Sequence, residues 1–259
     1  MANKISENLS SNTLYHFTPT LDNLLGILTN NFQPKYCLET TDYLSDTNLN
    51  HFDLAFPMIC FCDIPLSKIK KHIGDYGDYG IGMTKNWGYQ NNLSPILYAT
   101  PESRTSANLA KMIKWYIENT SEEESDNNRK LNRIISDFMM FTKPYEGKFT
   151  KQGKKHDKRF YDEREWRWIP EIDHQEVYIH LQKEQYENRE FRNMANNLLA
   201  RNYRLHFTPD DIKYLIIKNE NEIDSFIQRI ERIKSGFDNI TVKRLSSRIL
   251  TKEQILYDF

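Results

Sequence analysis

The sequence predicts an α+β domain whose β-sheet core is interrupted by a helical insertion, and three stretches carry that prediction. Phe56-Pro-Met-Ile-Cys-Phe-Cys-Asp-Ile-Pro65 is almost wholly apolar through its middle, the mark of a central strand buried on both faces. Leu14-Tyr-His-Phe17 reads as a short strand, and Leu21, Leu24, Leu25 and Leu28 follow it at the three-and-four spacing of a helix. Leu109 to Glu118 and Leu131 to Phe141 read as two more helices, separated by the acidic run Thr120 to Lys130. At 259 residues the chain suits one domain over residues 1–259, with the helical insertion at about 101–142 and a basic loop at 143–160.

In chain order, residues 1–12 form a polar leader. Thr18 stands where it can cap the first helix, with Pro19 in the first turn. Phe32 to Cys37 is extended, and residues 39–53 are polar and turn-rich, a mobile loop by composition. After the central strand come a short helix near Leu66 to Ile73 and the glycine-rich run Gly74-Asp-Tyr-Gly-Asp-Tyr-Gly-Ile-Gly-Met83. Its glycines fall before and within a strand, in an order that does not match a dinucleotide-binding turn between strand and helix. Lys85 to Gln90 forms a turn of helix, and Ser94 to Tyr98 the next strand. Beyond the insertion, Tyr161-Asp-Glu-Arg-Glu-Trp-Arg-Trp-Ile-Pro170 reads as a strand with Trp166 and Trp168 on one face and Glu165 and Arg167 on the other. Glu176 to Leu181 is extended, Tyr186 to Arg201 helical, and Phe207 to Ile217 a capped turn leading into a buried strand. A helix through Ile223, Phe226, Ile227 and Ile230, a strand at Ile240 to Leu245 and a helix from Lys252 complete the pattern.

The net charge is -1, which argues against a large footprint on duplex DNA. The sequence shows no apolar run long enough to span a bilayer and no signal-peptide core between Met1 and Ser11, so a cytoplasmic location is expected. Three cysteines do not form a disulfide framework. Cys60 and Cys62 project from one face of their strand, and with His51 or His72 they would make a metal site, although their spacing is unusual for zinc. No metal is expected.

His16 in the first strand, the aromatic and glycine-rich stretch Tyr79-Gly-Ile-Gly-Met-Thr-Lys-Asn-Trp87, and Glu165 in a later strand follow one another in an order that resembles the ADP-ribosyltransferase fold, which implies a split mixed β-sheet core. The first motif matches Leu14-Tyr15-His16-Phe17-Thr18, the second Tyr79 to Trp87, the third Arg164-Glu165. Phe56 to Pro65, Tyr79 to Gly82 and Phe160 to Arg167 are together similar to the AbiGi family of abortive-infection phage-resistance proteins, with a likeness to DarT-like toxin ADP-ribosyltransferases. The resemblance implies an NAD-dependent transferase toxin that breaks the bond to nicotinamide and passes ADP-ribose to an acceptor. Glu165 would stabilise the cationic, oxocarbenium-like ribose, as a carboxylate does in glycosidases. Glu163 would activate the acceptor, His16 would hold a ribose hydroxyl with Phe17 and Thr18 beside it, Tyr79 or Trp87 would stack on nicotinamide, and Lys85 or Arg164 would meet the pyrophosphate.

The acceptor implied is nucleic acid, RNA ahead of DNA with protein third, and the basic stretch Lys148 to Arg159 supports that order. A cognate antitoxin and a chaperone are the partners such a toxin needs. The competing reading is an antitoxin or binding protein that kept the fold and lost the chemistry.

Overall fold

The computed structural model describes residues 10–44, 53–119, 126–151, 154–173 and 175–259. In order, the elements are β1 (Thr13–Thr18), α1 (Leu21–Asn30), β2 (Lys35–Glu39), β3 (Leu54–Cys62), α2 (Lys70–Tyr76), β4 (Tyr79–Thr84), α3 (Lys85–Gln90), β5 (Ser94–Pro95) and β6 (Leu97–Ala99). Then come α4 (Arg104–Asn119), α5 (Asp126–Met140), β7 (Thr142–Pro144), β8 (Glu146–Lys151), β9 (Lys154–Arg159), β10 (Glu165–Trp168), β11 (Leu181–Gln182), α6 (Lys183–Glu187) and α7 (Arg189–Asn202). The chain closes with β12 (Ile212–Ile217), α8 (Ile223–Ile233), α9 (Asn239–Ser246), β13 (Ile249–Thr251) and α10 (Lys252–Asp258).

The main sheet runs β13-β12-β4-β1-β3-β10-β5, with β2 and β11 also paired to β3. It is mixed: β12 and β13 are parallel and its other pairs antiparallel, so the domain is α+β. β3 organises it. Its nine residues are nearly all buried, as an apolar run demands, and they take β2 from Lys35↔Met58 to Glu39↔Leu54 and β10 from Glu165↔Cys62 to Trp168↔Ile59. β1 pairs with β3 in register at Tyr15↔Cys62 alone. Thus β1 and β2 pair with separate parts of β3, and a cleft lies where all three come together.

The largest core packs α1 and α8 against the sheet through Leu24, Leu28, Ile81, Leu215, Phe226 and Ile230. A second core, built from Leu109, Ile113, Ile135 and Met139 of α4 and α5, covers Phe56 and Met58 of β3. The helical insertion therefore helps to bury the central strand. Between α2 and β4, Gly77 sits at φ 137° with Thr18 so near that a Cβ would lie 2.3 Å from its carbonyl oxygen. Only glycine fits this close approach.

Several expectations need correction. The cap of α1 is Thr20, whose hydroxyl accepts the Asn23 N–H, and Thr18 remains in β1. Ile240 to Leu245 is helical: Asp238 caps α9 by accepting the Thr241 N–H, and Val242 and Leu245 bury one helical face. The basic loop is a hairpin, β8 and β9, in register from Glu146↔Arg159 to Lys151↔Lys154. Only Glu165–Trp168 of the predicted Tyr161 to Pro170 strand is a strand; Phe160–Glu163 form a 3-10 turn. Most of the leader, residues 45–52 of the mobile loop, residues 120–125 of the acidic run and residues 152–153 lie outside the described residues.

Candidate functional site

The cleft, about 550 Å³, is lined by residues of β1, β2 and β3 and closed on other sides by α2, β8 and the chain before β10. Alternation along β10 sets its floor. Trp166 joins the main core with Trp168 packed beside it, so Glu165 and Arg167 share the opposite face, and both are buried. Arg167 Nε donates to Glu165 Oε1 at 2.6 Å, its Nη2 to Glu39 at 2.9 Å and its Nη1 to the Met140 carbonyl at 2.5 Å. Lys143 Nζ reaches the other oxygen of Glu165 at 2.8 Å and Glu163 at 3.2 Å.

Glu163 arrives by a different route. It ends the 3-10 turn, and Arg164 then takes a left-handed conformation, φ 45° and ψ 53°, which breaks the strand geometry before Glu165. For a residue with a Cβ that costs about 1–2 kcal/mol. The carboxylates therefore do not form a regular Glu-x-Glu strand pair, although Lys143 bridges them. Glu163 also pairs with Lys158 at 2.7 Å and accepts from the Tyr76 hydroxyl. Lys158 continues to Asp75 at 2.8 Å and lies over the rings of Tyr76 and Phe149. The cluster thus ties β8–β9, α2, β7, β10 and β2 together.

Burial alone would raise both carboxyls, but Arg167 and then Lys143 hold Glu165 well below the usual range, and Lys143 with Lys158 holds Glu163 below it. Burial lowers His72 to about 4 and lowers His16 as well, so both are neutral at pH 7. His16 donates its Nδ1–H to the Cys60 carbonyl at 2.8 Å. These shifts act in one direction on stability. Between about pH 6.5 and pH 4 the unfolded chain takes up protons that folded His72 refuses; below about pH 4.3 it also protonates carboxyls that the folded state keeps ionised. Urea midpoints are expected to fall steadily from pH 7 to pH 3, and His72→Phe to flatten the part of that fall above pH 4.

Of the residues singled out from sequence, His16, Phe17, Glu163 and Glu165 line this cleft. The others do not. Thr18 is buried beside Gly77. Tyr79 is turned toward Glu222, to which its hydroxyl donates at 3.0 Å. Trp87 is buried in the main core with its indole N–H on the His206 carbonyl, 2.9 Å away. Lys85 pairs with Asp63 at 2.8 Å, and Arg164 faces a neighbouring cavity. Cys60, Cys62 and His72 all line the cleft, burial raises both thiols, and His51 lies outside the described residues. Among the described residues no cluster of His, Cys, Asp and Glu is placed to hold a metal ion, and no helix is long and apolar enough to cross a membrane.

Sequence reasoning assigned no role to Tyr76 or Glu39, and Lys143 and Lys158 entered it only as members of the basic loop 143–160. Arg167 had a usable signal, since a spacing of two from Glu165 puts both on one strand face.

An α+β domain with a cleft floored by buried, mutually paired charges is what the fold and site define. The model of the family described as abortive phage resistance protein AbiGi, antitoxin, matches residues 30–218, and the chain belongs to that family. It is 28% identical over 250 residues to the abortive phage resistance protein AbiGi of Lactococcus lactis subsp. cremoris, an alignment covering 88% of this chain and 97% of that protein. No solved structure matches the chain significantly.

Proposed function

We propose that this abortive phage resistance protein is the antitoxin component of its system and acts by binding rather than by turning over NAD. The observation that carries this reading is the closure of charge in the cleft. Glu39, Glu163 and Glu165 are each spent on Lys143, Lys158 or Arg167, which leaves, among the described residues of the cleft, no unshared carboxylate to face a developing ribose cation and no unshared buried cation for a pyrophosphate. The antitoxin description of the family supports the same reading. Expressing the chain beside the growth-arresting component of its own defence system tests it. Growth should recover, and the chain alone should be harmless. Arrest caused by the chain alone would sink the proposal.

One observation favours a second reading, an ADP-ribosyltransferase-like fold whose enzyme uses NAD to modify nucleic acid, RNA before DNA. His16, Glu163 and Glu165 converge on one cleft that also contains the rings of Tyr76, Phe149 and Phe160. In that reading the ribose–nicotinamide bond breaks, a ribose–acceptor bond forms, and Tyr76 replaces Tyr79 or Trp87 as the ring that orients nicotinamide. Lys143 would have to release Glu165 first. A cognate antitoxin and a chaperone are partners of this reading alone.

A further inference from the structure

Behind the cleft lies a second cavity, of about 320 Å³, that shares His72 and Glu163 with it as a common wall. We propose that this second cavity is a phosphate-binding site, taking the phosphates of a nucleotide or of a nucleic acid strand. It stands independently of whether the chain is an antitoxin or a transferase.

Besides the buried Lys158, which is paired with Asp75 and Glu163, four cations line it: Lys68 in the 3-10 turn Leu66–Lys68, Lys71 on α2, Arg159 at the end of β9, and Arg164. None has a carboxylate partner among the described residues; Arg159 only passes 5.9 Å from the Tyr145 ring. This is the opposite of the cleft next door, where every charge is consumed. Two of the cavity's three carboxylates, Asp75 and Glu163, are held by Lys158, which leaves Asp162 as the one acidic group against four cations. An excess of unpaired cations around a concave space suits a group carrying more than one negative charge, and arginine forks suit phosphate oxygens.

The second observation concerns the backbone. Arg164 holds a left-handed conformation that favours glycine, fixed by its carbonyl accepting the Asp63 N–H at 3.0 Å and by its own N–H on the Tyr161 carbonyl at 3.3 Å. No polar contact of its side chain accounts for this, because among the described residues the guanidinium makes no hydrogen bond or ion pair. A strained residue whose charged head is left unpartnered in a cavity fits a ligand contact.

Titration calorimetry of the full chain with inorganic pyrophosphate, ADP, adenosine and a short single-stranded RNA tests the site. Pyrophosphate or a phosphate-bearing probe should bind, with affinity falling as salt rises, and adenosine should not. Tighter binding of ADP than of RNA names a nucleotide as the source, and the reverse names a nucleic acid. Lys71→Gln should weaken binding about tenfold. Arg164→Gly should weaken it at least as much while raising the melting temperature, because glycine relieves the left-handed backbone and removes no hydrogen bond or ion pair among the described residues. Three results would overturn the proposal: no binding of any phosphate-bearing probe to the wild type, unchanged pyrophosphate affinity in both variants, or a lower melting temperature in Arg164→Gly.

Discussion

Arg167→Met is expected to lower the unfolding free energy by about 3–5 kcal/mol, the cost of leaving a buried charge without its partner. Arg167 is fully buried and holds Glu165, Glu39 and the Met140 carbonyl at once, so the variant takes the shared cation from two carboxylates and a donor from the carbonyl, leaving Glu165 with Lys143 alone. Glu165→Gln alone should be destabilising for the converse reason. The double variant Glu165→Gln/Arg167→Met should recover part of the loss, because replacing a buried pair costs less than breaking one. The pH dependence follows from the sign of the Glu165 shift. Wild type loses the stability of its depressed carboxyl on acidification, whereas the Arg167 variant has already lost it, so the gap between their urea midpoints should narrow below about pH 4.3. A gap independent of pH, or full additivity in the double variant, would contradict the account. A practical consequence is that loss of function in Glu165→Gln reports on folding unless stability is measured beside it.

The second large effect is at Lys158. This lysine joins the hairpin to α2 through Asp75 and Glu163 and lies over two aromatic rings, all while buried. Lys158→Met should cost about 3 kcal/mol, and amide exchange across Glu146–Lys151 and Lys154–Arg159 should quicken as the hairpin loses its tether. Lys148→Met in the same hairpin is the control. Its pair with Asp157 is exposed on both sides, so its effect should stay within about 0.5 kcal/mol. Equal losses in the two variants would mean that Lys158 is not the link.

The contrast between these lysines explains which parts of the site can be read from sequence. β3 and α1 are legible because an unbroken apolar run and a three-and-four period leave little choice of structure. The Glu165–Arg167 pair is legible too, through alternation. Lys158 and Lys143 are not, because nothing local distinguishes them from Lys148, Lys154 or Lys155. Only the hairpin register decides which lysine turns inward: Lys158 shares a face with Phe149, and Lys148 pairs outward with Asp157. Tyr79 and Trp87 mislead for a related reason. Aromatic content marks them as candidates for a ring stack, yet the antiparallel pairing of β4 with β1 and the indole bond to His206 place them away from the cleft. The Ile240 to Leu245 error is one of period, since Ile240 and Val242 alternate like a strand and only the Asp238 cap reveals the helix. The left-handed turn at Arg164 has no sequence signal at all, because a positive φ is expected at glycine or asparagine rather than arginine.

The charges of the cleft are already committed to one another, and that is the central claim. Nicotinamide release from NAD by the purified wild-type chain, with RNA, single-stranded DNA and cell extract offered in turn as acceptor, tests it most directly. The account predicts release no faster than the uncatalysed background with every acceptor. Release above that background, abolished by His16→Ala in a variant that melts at the wild-type temperature, would contradict it and establish the transferase reading instead.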